Sequence, residues 1–213
     1  MNWNRIFSSW MFLLAMLPAS RSAWADSVFP VFLNTSPLAG TTQTLAFSLT
    51  QGNGVSDSNT ITLSDFNFGG GMPLGTPSYT GNGVSGDLNS TVTLADSDFL
   101  EFFSQTFQVG SSLSFLLDTT NNNFEDGLPD GFALYLCDVA LDTCYSDDLN
   151  TGALLVLNLS GSPLTPSDFT VNGASQQGLN APAVGTPEPR SLALLLAAGL
   201  TLAVGTGLRK ARA

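Results

Sequence analysis

Between residues 26 and 171 the apolar side chains come in short runs that alternate with small or polar ones. Leu45-Ala46-Phe47-Ser48-Leu49 is one such run, and Ile61-Thr62-Leu63-Ser64-Asp65-Phe66 is another. Val92-Thr93-Leu94, Leu113–Leu117, Phe132–Cys137, Leu154–Leu159 and Phe169-Thr170-Val171 repeat the pattern. A period of two puts alternate side chains on opposite faces of an extended strand. Clusters of Gly, Asn, Asp and Ser separate the runs and supply turns. The spacing predicts an all-β fold, an antiparallel two-sheet sandwich of jelly-roll type with about eight strands. The Phe residues would then line the two inner faces. Phe99–Phe107 (FLEFFSQTF) fits two periods, because Phe99, Phe102, Phe103 and Phe107 also fall along one side of a short helix. Gly-Asn-Gly-Val-Ser occurs at 52–56 and again at 81–85, each time ahead of a Thr-x-Thr-Leu-x-Asp segment. This echo reads as two similar loop-to-strand units within one sandwich, with Asn-Gly turns.

Charge narrows the chemistry further. The formal charge is −11, from 6 basic and 17 acidic residues. All the basic residues (Arg5, Arg21, Arg190, Arg209, Lys210 and Arg212) lie near the ends, and the chain has no His. From Asp26 to Thr186 there is no Lys, Arg or His at all. Ser–His and Cys–His catalysis need an imidazole, and Schiff-base or Ser–Lys chemistry needs a Lys. Nucleic acid is excluded as a partner, since nothing in the body neutralises phosphates. Two Cys without His do not make an ordinary structural zinc site.

The two ends carry targeting signals. Arg5, the apolar run Ile6–Leu17, Pro18 and Ala23-Trp24-Ala25 describe a secretory signal over 1–25, cut by signal peptidase before Asp26. All three Trp lie in this segment. Residues 172–186 (NGASQQGLNAPAVGT) lack a period and read as a flexible linker. Pro187-Glu188-Pro189 follows, then the uncharged run Ser191–Leu208, then Arg209-Lys210-Ala211-Arg212. At 1.5 Å per residue the uncharged run is about 27 Å long as a helix, close to the hydrocarbon thickness of a bilayer. The basic cluster marks its cytoplasmic side.

A Pro-Glu-Pro motif, an apolar span and an Arg-rich end, in that order, resemble the PEP-CTERM sorting signal of exopolysaccharide-producing bacteria. The resemblance covers 187–212. It implies an exosortase as partner, with Pro187, Glu188 and Pro189 as its substrate motif and Arg209, Lys210 and Arg212 as the basic tail. The protein would pass through the inner membrane and end at the cell surface or outside. The body also resembles one group of PEP-CTERM proteins through Leu45–Phe47, Asn59–Leu63 with Phe68–Gly71, Phe99–Phe107 and Ser114–Thr119. That group brings no activity with it.

Four sets of residues are candidates for chemistry. Cys137 and Cys144 sit where a hairpin would place them opposite each other, and an extracytoplasmic location permits a disulfide. Asp118–Asp130 is the richest acidic loop, and Asp118, Asn121, Asn123, Glu125, Asp126 and Asp130 offer the hard oxygen ligands that Ca²⁺ takes. The EF-hand pattern fails, because its Gly position is Asp126, so the alternative is a polar turn set by Gly127 and Pro129. A second acidic set, Asp138, Asp142, Asp147 and Asp148, reads as a soluble loop. Glu101 or Glu125 with a nearby Asp would formally serve glycoside hydrolysis, but the body has no Trp to stack on a sugar. The leading expectation is a non-enzymatic surface or matrix protein associated with exopolysaccharide. A Ca²⁺- or carbohydrate-binding adhesion module is the alternative, and a small glycoside hydrolase comes third.

Overall fold

The computed structural model describes residues 27–52, 57–122, 128–161 and 163–186. Within them the chain forms β1 (Ser27–Asn34), β2 (Thr42–Thr50), β3 (Thr60–Asn67), β4 (Met72–Pro73), β5 (Ser78–Thr80), β6 (Val84–Gly86) and β7 (Val92–Ala95). It continues with β8 (Leu100–Gln108), β9 (Ser112–Thr119), β10 (Asp130–Cys137), β11 (Leu155–Leu159), β12 (Phe169–Val171) and β13 (Ala183–Val184). Three single 3₁₀ turns, at Ser36–Leu38, Pro166–Asp168 and Ser175–Gln177, are the helical elements among the described residues.

The strands form two antiparallel sheets. The first has the order β13-β1-β9-β3-β7-β6, and the second β12-β11-β10-β2-β8-β4, with β5 also on β8. Most connections cross from one sheet to the other, so neighbours in a sheet are distant in sequence. The longest pairing, β2 with β8, joins Thr42 to Gln108 and Thr50 to Leu100. Inner-face residues meet in one core, where Phe47 contacts the rings of Phe66, Phe103, Phe115 and Phe132 at centroid distances of 5.8–6.2 Å. Burying side chains of this size is the main stabilising contribution, about 1.5–3 kcal/mol each.

The Phe-rich segment forms a strand, β8, and not a helix. Spacings of four, as from Phe103 to Phe107, satisfy either period, and backbone pairing decides between them. β8 bonds to β2 along one edge and to β4 and β5 along the other. Glu101, Phe103, Gln105 and Phe107 are all buried, while Phe99 precedes the strand and is exposed.

The sequence pattern also passes over β1. Pro30 interrupts its apolar run and argues against a strand. The structure accommodates Pro30 where the missing N–H would face the two-residue edge strand β13, and its carbonyl accepts from the Gly185 N–H at 2.8 Å.

The expected linker at 172–186 is part of the folded body. Ala174, Leu179 and Pro182 are buried. Ala174 and Leu179 exchange backbone hydrogen bonds around a turn closed by Gly178 at φ 72°. Asp147 accepts from both the N–H and the hydroxyl of Ser175, and β13 then pairs with Val31 and Phe32. A one-turn helix and a two-residue strand are too short to leave a period in the sequence.

Every sheet edge is a strand of two or three residues (β13, β6, β12, β4 and β5). Edge lysines, a common guard against edge-to-edge pairing, are absent from this body, and short edges serve instead.

Candidate functional site

Long strands bring four buried carboxylates to one end of the sandwich, and Asp130 and Glu101 are the two with the most donors recorded around them. Here β2 and β9 end, and β1, β3, β8 and β10 begin. A hydrogen bond of 2.8 Å from Asn59 Nδ2 to Asp130 Oδ2 ties the two sheets together. Asn59 also donates to the Asn122 carbonyl, and its Oδ1 accepts from the Asn122 N–H.

Asp130 is fully buried, and its Oδ1 accepts from the Gly52 N–H at 3.1 Å. Burial pushes its pKa above the ordinary carboxylate value. The bonds from Asn59 and Gly52 offset part of that rise, and the nearby charges of Asp96 and Asp57 add to it. Asp57 and Asp96 are themselves buried. The structure thus gathers Asp57, Asn59 and Asp96 near Asp130, which sequence reasoning missed. Asn59 and Asp130 are 71 residues apart, and no local motif marks them as neighbours.

The second buried acid is Glu101. Its carboxylate accepts from three backbone N–H groups, those of Gly83 (2.9 Å), Ser97 (3.3 Å) and Asp98 (2.8 Å). Each acid draws on a Gly-Asn-Gly copy, at different positions of it: the first glycine of one copy, Gly52, donates its N–H to Asp130, and the second glycine of the other, Gly83, donates its N–H to Glu101. Both glycines lie against backbone. A Cβ on Gly52 would fall 2.1 Å from the Leu128 carbonyl oxygen, and one on Gly83 would fall 1.9 Å from that of Ala95. Glu101 is committed to holding loops together and does not face a cleft.

The sequence-derived calcium set is divided by the fold. Asp118 lies on the outward-facing side of β9, where it alternates with buried Leu117 and Thr119. Asp130 points into the interior. Asn121 Oδ1 accepts from the Gly161 N–H. Asn123, Glu125 and Asp126 lie outside the described residues. Among the described residues no group of three or more His, Cys, Asp or Glu side chains is arranged to hold a metal ion.

The opposite end carries the disulfide. Cys137 and Cys144 are joined across a hairpin with Cα atoms 3.9 Å apart. The Asp138 N–H bonds to the Thr143 carbonyl and the Tyr145 N–H to that of Leu136. Closing so short a loop contributes about 2–3 kcal/mol through the unfolded chain. The acids around it serve as local acceptors. Asp138 accepts from the Asp142 N–H. Asp148 accepts from the Asn150 N–H and the Thr151 hydroxyl, and these bonds hold its pKa below the ordinary value, the Thr151 bond most strongly.

The sorting motif, the run 191–208 and the basic tail lie outside the described residues, as does the signal segment. Among the described residues no helix is long and apolar enough to cross a membrane.

No family model matches the chain, and neither the curated proteins nor the solved structures yielded a match.

Proposed function

We propose that this is an exported, non-enzymatic surface or matrix protein, sorted by an exosortase through Pro187-Glu188-Pro189 and associated with exopolysaccharide. The observation that carries the reading is the order of features after Thr186. The motif, the uncharged run 191–208 and the basic cluster 209–212 follow one another directly. The jelly-roll type of sandwich belongs to the same reading. A body without cationic side chains suits a hydrated polyanionic surroundings, where its own charge opposes self-association.

The test is processing in a host that carries an exosortase. Wild-type protein is expected to lose its C-terminal segment and leave the membrane fraction. Replacing residues 187–189 with Ala should trap the full-length form there. Equal processing of both proteins would sink the reading.

A second reading is a calcium-ordered adhesion module. It is carried by the oxygen-rich stretch Asp118–Asp130 in a body with no Lys, Arg or His. A divalent cation bound to the native state alone would raise stability by mass action. Millimolar Ca²⁺ should then raise the unfolding midpoint over EGTA, with Mg²⁺ inert and Asp130→Asn insensitive. The absence of any Ca²⁺-specific shift would remove this reading.

A further inference from the structure

The fold fixes where the chain leaves the body. β13 runs antiparallel to β1 and heads toward the end where β1 begins at Ser27. Gly185 is bonded to Pro30, so Thr186 is level with Phe29, two residues short of that end. From Thr186 to Ser191, where the apolar run opens, there are five peptide steps, which reach at most roughly 18 Å. Passing the start of β1 uses roughly 7 Å of that. About 5–8 Å more is taken by the headgroup layer on one side of a bilayer. Only a few ångströms are left between this end of the sandwich and the lipid.

The same end is rimmed with exposed apolar side chains. Phe99 is 65 % exposed, Leu128 70 % and Leu100 38 %. They belong to adjacent loops. The Gln51 N–H bonds to the Phe99 carbonyl, and Gly52 lies against the Leu128 carbonyl. Four acids of this end, Asp57, Asp96, Glu101 and Asp130, are buried beneath them, while Asp98 and Asp118 are half-buried. Aromatic and aliphatic side chains on a solvated rim gain by entering the boundary between headgroups and acyl chains. We infer that the Phe99–Leu100–Leu128 rim docks on the bilayer surface while segment 191–208 is still attached. The inference rests on the reading of 191–208 as a membrane span. The opposite end also exposes Val139, Leu141 and Leu149, but the chain does not leave from there.

The experiment uses the full chain with Trp3→Phe, Trp10→Phe and Trp24→Phe, so that one added Trp is the only emitter. Phe99→Trp, Leu128→Trp and Leu149→Trp are each reconstituted with vesicles of phosphatidylcholine carrying brominated acyl chains. Flotation of the vesicles reports insertion, and circular dichroism reports folding. The expected result is blue-shifted, strongly quenched emission from the Trp at 99 and at 128, with unquenched emission from the Trp at 149. Flotation with all three unquenched, or with 149 quenched as much as the others, would overturn the docking and leave the span intact. Failure to float would overturn both.

Discussion

Glu101 and Asp130 are both fully buried, both at the same end of the sandwich, and both held by a glycine of a Gly-Asn-Gly loop. They differ in what completes their surroundings. Glu101 gathers three backbone N–H groups. Asp130 has one backbone N–H and one side-chain amide, with the charges of Asp96 and Asp57 nearby. A body without cationic side chains has two ways to keep an acid inside. It can surround the acid with backbone N–H donors, as at Glu101, or bury it with fewer donors, as at Asp130, where burial raises the pKa and the charges of Asp96 and Asp57 add to the rise. The first centre is a fastener, and the second is a buried acid with a raised pKa.

The largest expected effect breaks the fastener. Glu101→Ala leaves the N–H groups of Gly83, Ser97 and Asp98 without their acceptor, and should cost about 3–4 kcal/mol in urea unfolding. Glu101→Gln keeps one oxygen and should fall between wild type and Ala. A loss under 1 kcal/mol for the Ala variant (about the size of one exposed contact) would mean that the nest is not structural.

Next in size are the two glycines. Gly83→Ala and Gly52→Ala each force a methyl into a carbonyl oxygen, and each should destabilise by about 2–3 kcal/mol. The pair sharpens the comparison. If Gly52→Ala is much the cheaper, the backbone at Leu128 and Pro129 gives way and the Asp130 centre is the softer of the two.

What the sequence revealed follows the length of the elements. Runs such as Leu45–Leu49 and Leu113–Leu117 show their period because large apolar side chains alternate with small or polar ones along strands of eight or nine residues, although both faces of β2 are buried. β13 and the turn at Ser175–Gln177 are too short to show one, which is why 172–186 read as a linker. Pro30 hid β1, since the pattern does not reveal that its missing N–H would face a short edge. The disulfide was legible because hairpin contacts are local. The Asp130 centre was not, because β2, β3, β7 and β10 meet there only after the chain has crossed between the sheets. Asp118 faces outward on β9, and the neighbours of Asp130, which are Asp57, Asn59 and Asp96, come from elsewhere in the chain.

The pH response of Asp130 is the third test. Its folded pKa is raised above 3.8, so the native state holds this proton more tightly than the unfolded chain. Its contribution to stability is therefore fully present below the unfolded value and is lost as pH rises through the folded one. Asp130→Asn should flatten that segment of a plot of urea midpoint against pH, taken between about pH 3 and pH 7. Identical slopes for the two proteins would show that Asp130 does not carry the pH response of this end.

The smallest effect, and the one of opposite sign, comes from Asp148 at the far end. Its pKa is lowered by the bonds from the Thr151 hydroxyl and the Asn150 N–H. Here the ionised form is the one the fold prefers, so the contribution is present above the unfolded value and lost as pH falls through the folded one. Asp148 lies at the surface, where solvent and salt weaken such terms. Asp148→Ala should thus lower the urea midpoint slightly at neutral pH and not at all in acid, with the difference shrinking as salt is added. The opposite slopes of the Asp130 and Asp148 variants separate a carboxylate confined by burial from one held by donors. A salt-independent loss at Asp148, equal at both pH extremes, would mean that the side chain acts through packing and not through charge.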